Sequence, residues 1–203
     1  MWALPPFRRE GTCVHARGLD DMAGCAAILA AVDRLARDPR PASVSAIFTR
    51  AEEPGFVGAT AMAIAGAGAD AIPRRAVVVS VETSRWRPGA EMGKGPVVRL
   101  GDSAGLFDPE ATSSLLRIAA GRVPRIAGIR HQKCLLDGGA CEATSLRVLG
   151  YRTTGLACPL GNYHNHAWDR RGGAAGPGVA PEFIDLRDWL GLVDLIVAAG
   201  RGI

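Results

Sequence analysis

The sequence predicts an α/β layered sheet with helices on both faces. Three observations lead there. Candidate strands and helices alternate along the chain, the pattern of layered α/β domains. The run Ala76–Val81 (AVVVSV) holds four valines and no charge, as a strand buried on both faces requires. Pro39, Pro41, Pro73 and Gly150 cut the apolar segments to the length of single elements. The 203 residues, 48% apolar and 22% charged, are enough for one large folded domain.

Taken in order, Thr12–Arg17 reads as a short strand ended by Gly18. Asp21–Arg37, rich in Ala, Ile and Leu, reads as a helix that Pro39 and Pro41 stop. Val44–Thr49 (VSAIFT) has a strand's composition. Val57–Ala67 carries small residues and reads as a buried helix, followed by a linker ending at Pro73. After the valine strand come Val97–Leu100 as a strand and Pro109–Ala120 as a helix with Asp108 as its N-cap. Cys141–Leu149 is predicted helical and closed by Gly150. Thr153–Cys158 is a strand, Gly172–Pro181 a Gly/Pro/Ala-rich loop, and Asp185–Ala199 a final amphipathic helix.

Composition removes several function classes. The net charge is only +4 and the basic residues form no stripe, so a pI near 9.0 does not indicate nucleic-acid binding. The apolar run Met22–Val32 is too short to span a bilayer and stops at Asp33, and the first residues lack a signal-like apolar core. A cytoplasmic protein without membrane contact is expected. Five cysteines, an odd number without a CxxC, read as reduced thiols. No GxGxxG follows a strand, and Gly93-Lys94-Gly95 lacks the spacing of a phosphate loop, which disfavours a nucleotide-binding domain.

Reactive groups of open α/β sheets gather at the carboxyl ends of strands. Asp20-Asp21, Glu52-Glu53 and Glu82 each follow a candidate strand. A His-rich turn, Asn162-Tyr163-His164-Asn165-His166, follows another. Converging carboxylates cannot stay ionised at low dielectric without cations, and a divalent metal pair is the natural compensation. Each residue also has an ordinary reading. Asp20 can cap a helix, Glu52-Glu53 can be a solvated turn, Glu82 can end a strand, and His164 or His166 can lie on a surface loop. Their joint order is what points to a site.

At these residues the chain resembles the dinuclear zinc aminopeptidases of the glutamyl and deblocking (tetrahedral-assembly) type, within the zinc-exopeptidase clan. The pieces, in family order, are Leu19–Ile28 (LDDMAGCAAI), Thr49–Ala59 (TRAEEPGFVGA), Val77–Thr83 (VVVSVET), Gly93–Asp102 (GKGPVVRLGD), Asp137–Thr144 (DGGACEAT) and Pro159–Asn165 (PLGNYHN). The resemblance implies a three-layer mixed sheet. It implies that Asp20 bridges two divalent metals, with Zn²⁺ favoured over Co²⁺ or Mn²⁺. Glu53 and His164 complete one site, with His166 as the alternative imidazole, and Glu82 binds the other metal. A cis peptide is implied between Asp20 and Asp21, with Asp21 supporting the site without ligating. The implied reaction removes N-terminal residues from peptides through a metal-bridged hydroxide, with Glu52 as general base. A homo-oligomer is compatible with such a family. Only 82 residues (164 − 82) separate Glu82 from His164, too few for the lid domain of related carboxypeptidases.

One departure is expected to matter. The family carries an earlier His-x-Asp strand whose histidine completes the metal site of Glu82. Nineteen residues precede Asp20 here, and their one histidine, His15, matches no ligand position and reads as a strand residue. The resemblance therefore implies that residues 1–203 are the C-terminal portion of a metallopeptidase catalytic domain, without a separate lid or dimerisation domain. The Glu82 site would be weakened and a sheet edge or apolar face exposed. The alternative is an inactive truncated homologue serving as an interaction module or remnant, against which the retained acidic residues argue.

Overall fold

A computed structural model describes residues 4–65, 72–167 and 178–203. Strands β1 (Arg8–Glu10) and β2 (Cys13–Ala16) lead into helix α1 (Leu19–Ala36). Helix α2 (Val57–Ala65), strands β3 (Val77–Arg85), β4 (Val97–Asp102) and β5 (Gly105–Leu106), and helix α3 (Pro109–Ala119) follow. The chain continues through β6 (Gln132–Leu136), α4 (Glu142–Val148) and β7 (Arg152–Leu160). It closes with β8 (Glu182–Asp185) and α5 (Leu186–Gly202).

The main sheet is mixed. β7 runs parallel to β3 on one side and antiparallel to β4 on the other. β4 in turn pairs parallel with β6 and, at Gly101–Asp102, antiparallel with β5. A second, antiparallel sheet has the order β1-β2-β8. Alternate residues of β3 serve opposite layers, as strand geometry demands. Val79 and Val81 pack with α1, α3 and α5, in a core holding Ala27, Leu115, Leu156, Leu192 and Leu195. Val78 packs on the other face with Ala63 of α2 and Leu146 of α4. The predicted three-layer architecture with helices on both faces is therefore present.

Most predicted elements recur within a few residues. Asp108 caps α3 by accepting from the Ala111 amide at 2.7 Å. Gly150 follows α4 with φ 85°, the left-handed conformation that ends helices. Two expectations need correction. Val44–Thr49 is not a strand: a strand requires a neighbour for its N–H and C=O groups, and none pairs with this segment among the described residues. Val44, Ile47 and Phe48 are 40–47% exposed there. Glu82 does not follow the valine strand but lies within it, because β3 continues to Arg85 in unbroken register with β7. The short strands β1, β5, β6 and β8 were not anticipated. The start of the predicted Gly172–Pro181 loop and the end of the predicted second helix lie outside the described residues.

Candidate metal centre

Three backbone features bring the acidic residues and one imidazole to a common cleft of about 640 Å³. The first is the start of α1. Asp20 and Asp21 have non-helical dihedrals, and the peptide between them is cis. The Asp20 amide donates to Glu182 Oε2 at 3.1 Å, and Thr83 Oγ1 donates to Asp20 Oδ1 at 2.7 Å. The α1 entry is thereby tied to β8 and to β3. Asp21 Oδ1 accepts from the Gly24 amide at 3.1 Å.

The second feature is the turn carrying Glu52 and Glu53. The Glu52 carbonyl accepts from the Gly55 and Phe56 amides, and the Gly58 amide returns to the Arg50 carbonyl at 3.0 Å. A Cβ on Gly58 would fall 2.4 Å from that carbonyl oxygen, so the turn closes only because the residue is glycine. Thr49 Oγ1 also donates to the Glu142 carboxylate, fastening the turn to the start of α4.

The third feature is the turn after β7. His164 sits in the left-handed region (φ 56°), as does Asn162 (φ 53°). The Asn162 and Asn165 side chains donate to the carbonyls of Pro181 (2.8 Å) and Ala180 (3.2 Å). Tyr163 stacks on the His164 ring with centroids 3.9 Å apart. The result is that His164 faces the acidic residues, while His166 bridges Val179.

Asp20, Glu53 and His164 each offer a donor atom, and these atoms lie within 4.8 Å of one another. His164 Nε2 is 3.5 Å from Asp20 Oδ2 and 3.7 Å from Glu53 Oε1. Glu52 and Glu82 line the same cleft, but Glu82 is outside this three-donor group. Glu82 Oε1 accepts from Ser80 Oγ at 2.9 Å and lies 4.0 Å from Arg99 Nη1.

Crowded carboxylates in a partly desolvated cleft resist ionisation. Burial, reinforced by Glu53, Glu142 and Asp20, pushes Glu52 up to about 7. Burial pushes Glu82 up to about 8, against the opposing pull of Arg99 and Ser80. Burial also raises Asp20 despite its Thr83 hydrogen bond, and burial with Glu82 and Asp20 raises Asp21 well above the usual range. A divalent cation would reverse these shifts. Two carboxylates and one imidazole, none of them a thiolate, form a donor set that fits Zn²⁺, Co²⁺ or Mn²⁺. The five cysteines are free thiols and none belongs to the group.

Sequence reasoning did not anticipate Thr83, Arg99, Tyr163 or Glu182 around this cleft. Ordinary strand and loop residues become neighbours only through the register of β3, β4, β7 and β8. The Gly93–Pro96 motif turns out to be structural. The Asp188 carboxylate of α5, 1% exposed, accepts from the Gly93 amide at 2.5 Å and the Gly95 amide at 2.7 Å. His15 lies in β2 and stacks on Phe183, as expected of a strand residue.

Comparison with known proteins gives a consistent placement. The TET1 peptidase of Pyrococcus horikoshii, which can assemble into a tetrahedron or a large octahedral shell, is 25% identical, with a TM-score of 0.73 over 95% of this chain and 52% of that one. Aminopeptidase APDkam598 from Desulfurococcus kamchatkensis gives 0.70 at 21% identity, over 95% and 50%. An M18-family aminopeptidase from Thermotoga maritima gives 0.67 at 15%, over 98% and 50%. The latter two likenesses concern the fold alone. This chain thus spans about half the length of the solved structures it matches. No curated protein matches it. The family model for M42 glutamyl aminopeptidases matches residues 5–168, and the chain belongs to that family.

Proposed function

We propose that this chain is the metal-binding portion of a peptide hydrolase that removes N-terminal residues. The observation that supports it most is the convergence of Asp20, Glu53 and His164 donors within 4.8 Å, on a cleft that Glu52 also lines. In this reading the three side chains hold a divalent cation, Zn²⁺ before Co²⁺ or Mn²⁺. Such a cation, when bound, supplies a Lewis acid and lowers the pKa of water.

The remaining work falls to this chain's own groups. Glu52 is the general base: its carboxylate takes a proton from the attacking water and returns it to the nitrogen of the leaving amine. Asp21 supports the site without ligating: its carboxylate accepts from the Gly24 amide, and it is outside the three-donor group. Thr83 orients the Asp20 carboxylate by donating to Oδ1. The free α-amine of a peptide is positively charged and matches the acidic wall of the cleft, which selects for chain ends. By analogy with the TET1 peptidase, which assembles into shells, we also propose that the working protein is a homo-oligomer.

The test is a pair of measurements on the purified chain. Reconstitution with Zn²⁺, Co²⁺ or Mn²⁺ followed by elemental analysis is expected to show bound metal. Glu52→Gln is expected to lower hydrolysis of aminoacyl and peptide substrates by a factor on the order of 10²–10⁴ while leaving metal content unchanged. Full activity in that variant refutes the role given to Glu52. Absence of bound metal would favour the inactive-homologue reading.

A further inference from the structure

Among the described residues, Arg85, Arg87 and Arg99 line the cleft, and of these Arg99 is the buried one. Arg99 lies on β4 with its side chain only 5% exposed, and its Nη1 stands 4.0 Å from Glu82 Oε1. Its Nε is buried without a hydrogen-bond partner. A guanidinium does not release its proton at any ordinary pH, so this is a permanent cation.

The register explains how it reaches Glu82. Gly155 of β7 is paired with Ser80 on β3 and with Arg99 on β4. A Cβ on Gly155 would come within 3.2 Å of Arg99 Cδ. The strand between the two partners therefore offers no side chain at the crossing point, and the arginine passes over it. Glu82, two residues beyond Ser80, lies on the same face of β3. Its Oε1 is already engaged by Ser80 and faced by Arg99, and it takes no part in the three-donor group.

We propose that Arg99 occupies the electrostatic role of a second cation, so that the site binds one divalent ion, on Asp20, Glu53 and His164, with Glu82 neutralised by the guanidinium. This rests on the metal reading above and narrows it. A divalent ion drawn to Glu82 would meet the arginine at short range, and like charges at that distance in a partly buried site exclude one another.

The experiment is titration of metal-stripped protein with Mn²⁺ alone, followed by calorimetry and electron paramagnetic resonance. The wild-type chain is expected to bind one equivalent, with the spectrum of an isolated ion. Two equivalents with spin coupling would overturn this inference and leave the metal reading intact. No binding would overturn both. Arg99→Gln is expected to bind a second, weaker equivalent that couples to the first; a stoichiometry still at one would overturn the role of Arg99. Should Arg99→Gln not fold, Glu82→Gln carries the same question. It is expected to keep one equivalent with affinity within about tenfold of wild type, whereas losing the ion would show that Glu82 ligates it.

Discussion

At the scale of single residues, two carboxylates at the start of α5, the cap Asp185 and Asp188 within the helix, do structural work of opposite electrostatic character. Asp188 is buried and spends both oxygens on the Gly93 and Gly95 amides. Asp188→Ala leaves both donors without an acceptor and is expected to destabilise the chain by about 2–4 kcal/mol, read as a lower urea midpoint with unchanged m. Asp185 caps the same helix. Burial pulls its carboxyl upward, but hydrogen bonds from the Arg187 side chain and amide and from Thr12 outweigh this and hold it below the usual range. A depressed folded value means stability that is present above the unfolded value near 3.8 and lost as pH falls through the folded one. Thermal melts from pH 6 down to about 2 should show this loss, with a shallower slope for Asp185→Asn.

At the scale of elements, the centre depends on turns rather than on the strands they adjoin. The Glu52-Glu53 turn has no strand before it and is held by the Gly58–Arg50 approach and the Thr49–Glu142 hydrogen bond. Gly58→Ala places a Cβ against the Arg50 carbonyl and must open the turn. On the proposed reading it lowers metal affinity by about 10–100-fold, the loss seen when ligand support is removed, while far-ultraviolet circular dichroism stays unchanged. A variant that folds and binds metal as wild type would show that this turn does not position Glu53.

At the scale of the whole molecule, two surfaces are left uncovered among the described residues. β3 is at the end of its sheet, paired only with β7. Large apolar side chains stand exposed on α1 (Met22, Leu29), on α2 (Val57, Ile64) and in the extended segment with Ile47 and Phe48. Unpaired edges and exposed apolar residues favour association. Sedimentation velocity is expected to show concentration-dependent oligomers, reduced in a Phe48→Asp/Ile64→Glu double variant. A monomer at all concentrations would count against the proposed homo-oligomer. No helix of the described residues is long and apolar enough to cross a membrane.

What could be read without coordinates was whatever local chemistry controls. Proline and glycine stops, the Asp108 cap, the helical periodicity of α3 and α5, and the uncharged valine run are properties of short segments, and they recur in the structure. That Asp20, Glu53 and His164 come together was legible through the resemblance to a known family, and their donor atoms do lie within 4.8 Å of one another. Three things were decided only by tertiary pairing. VSAIFT has the composition of a strand but no partner among the described residues, since backbone hydrogen bonding is a property of two segments. His164 rather than His166 faces the cleft because the turn places His164 in a left-handed conformation, with Asn162 and Asn165 held by the carbonyls of residues 180 and 181. Arg99 meets Glu82 across Gly155 because strand register, which no single segment encodes, aligns three distant residues.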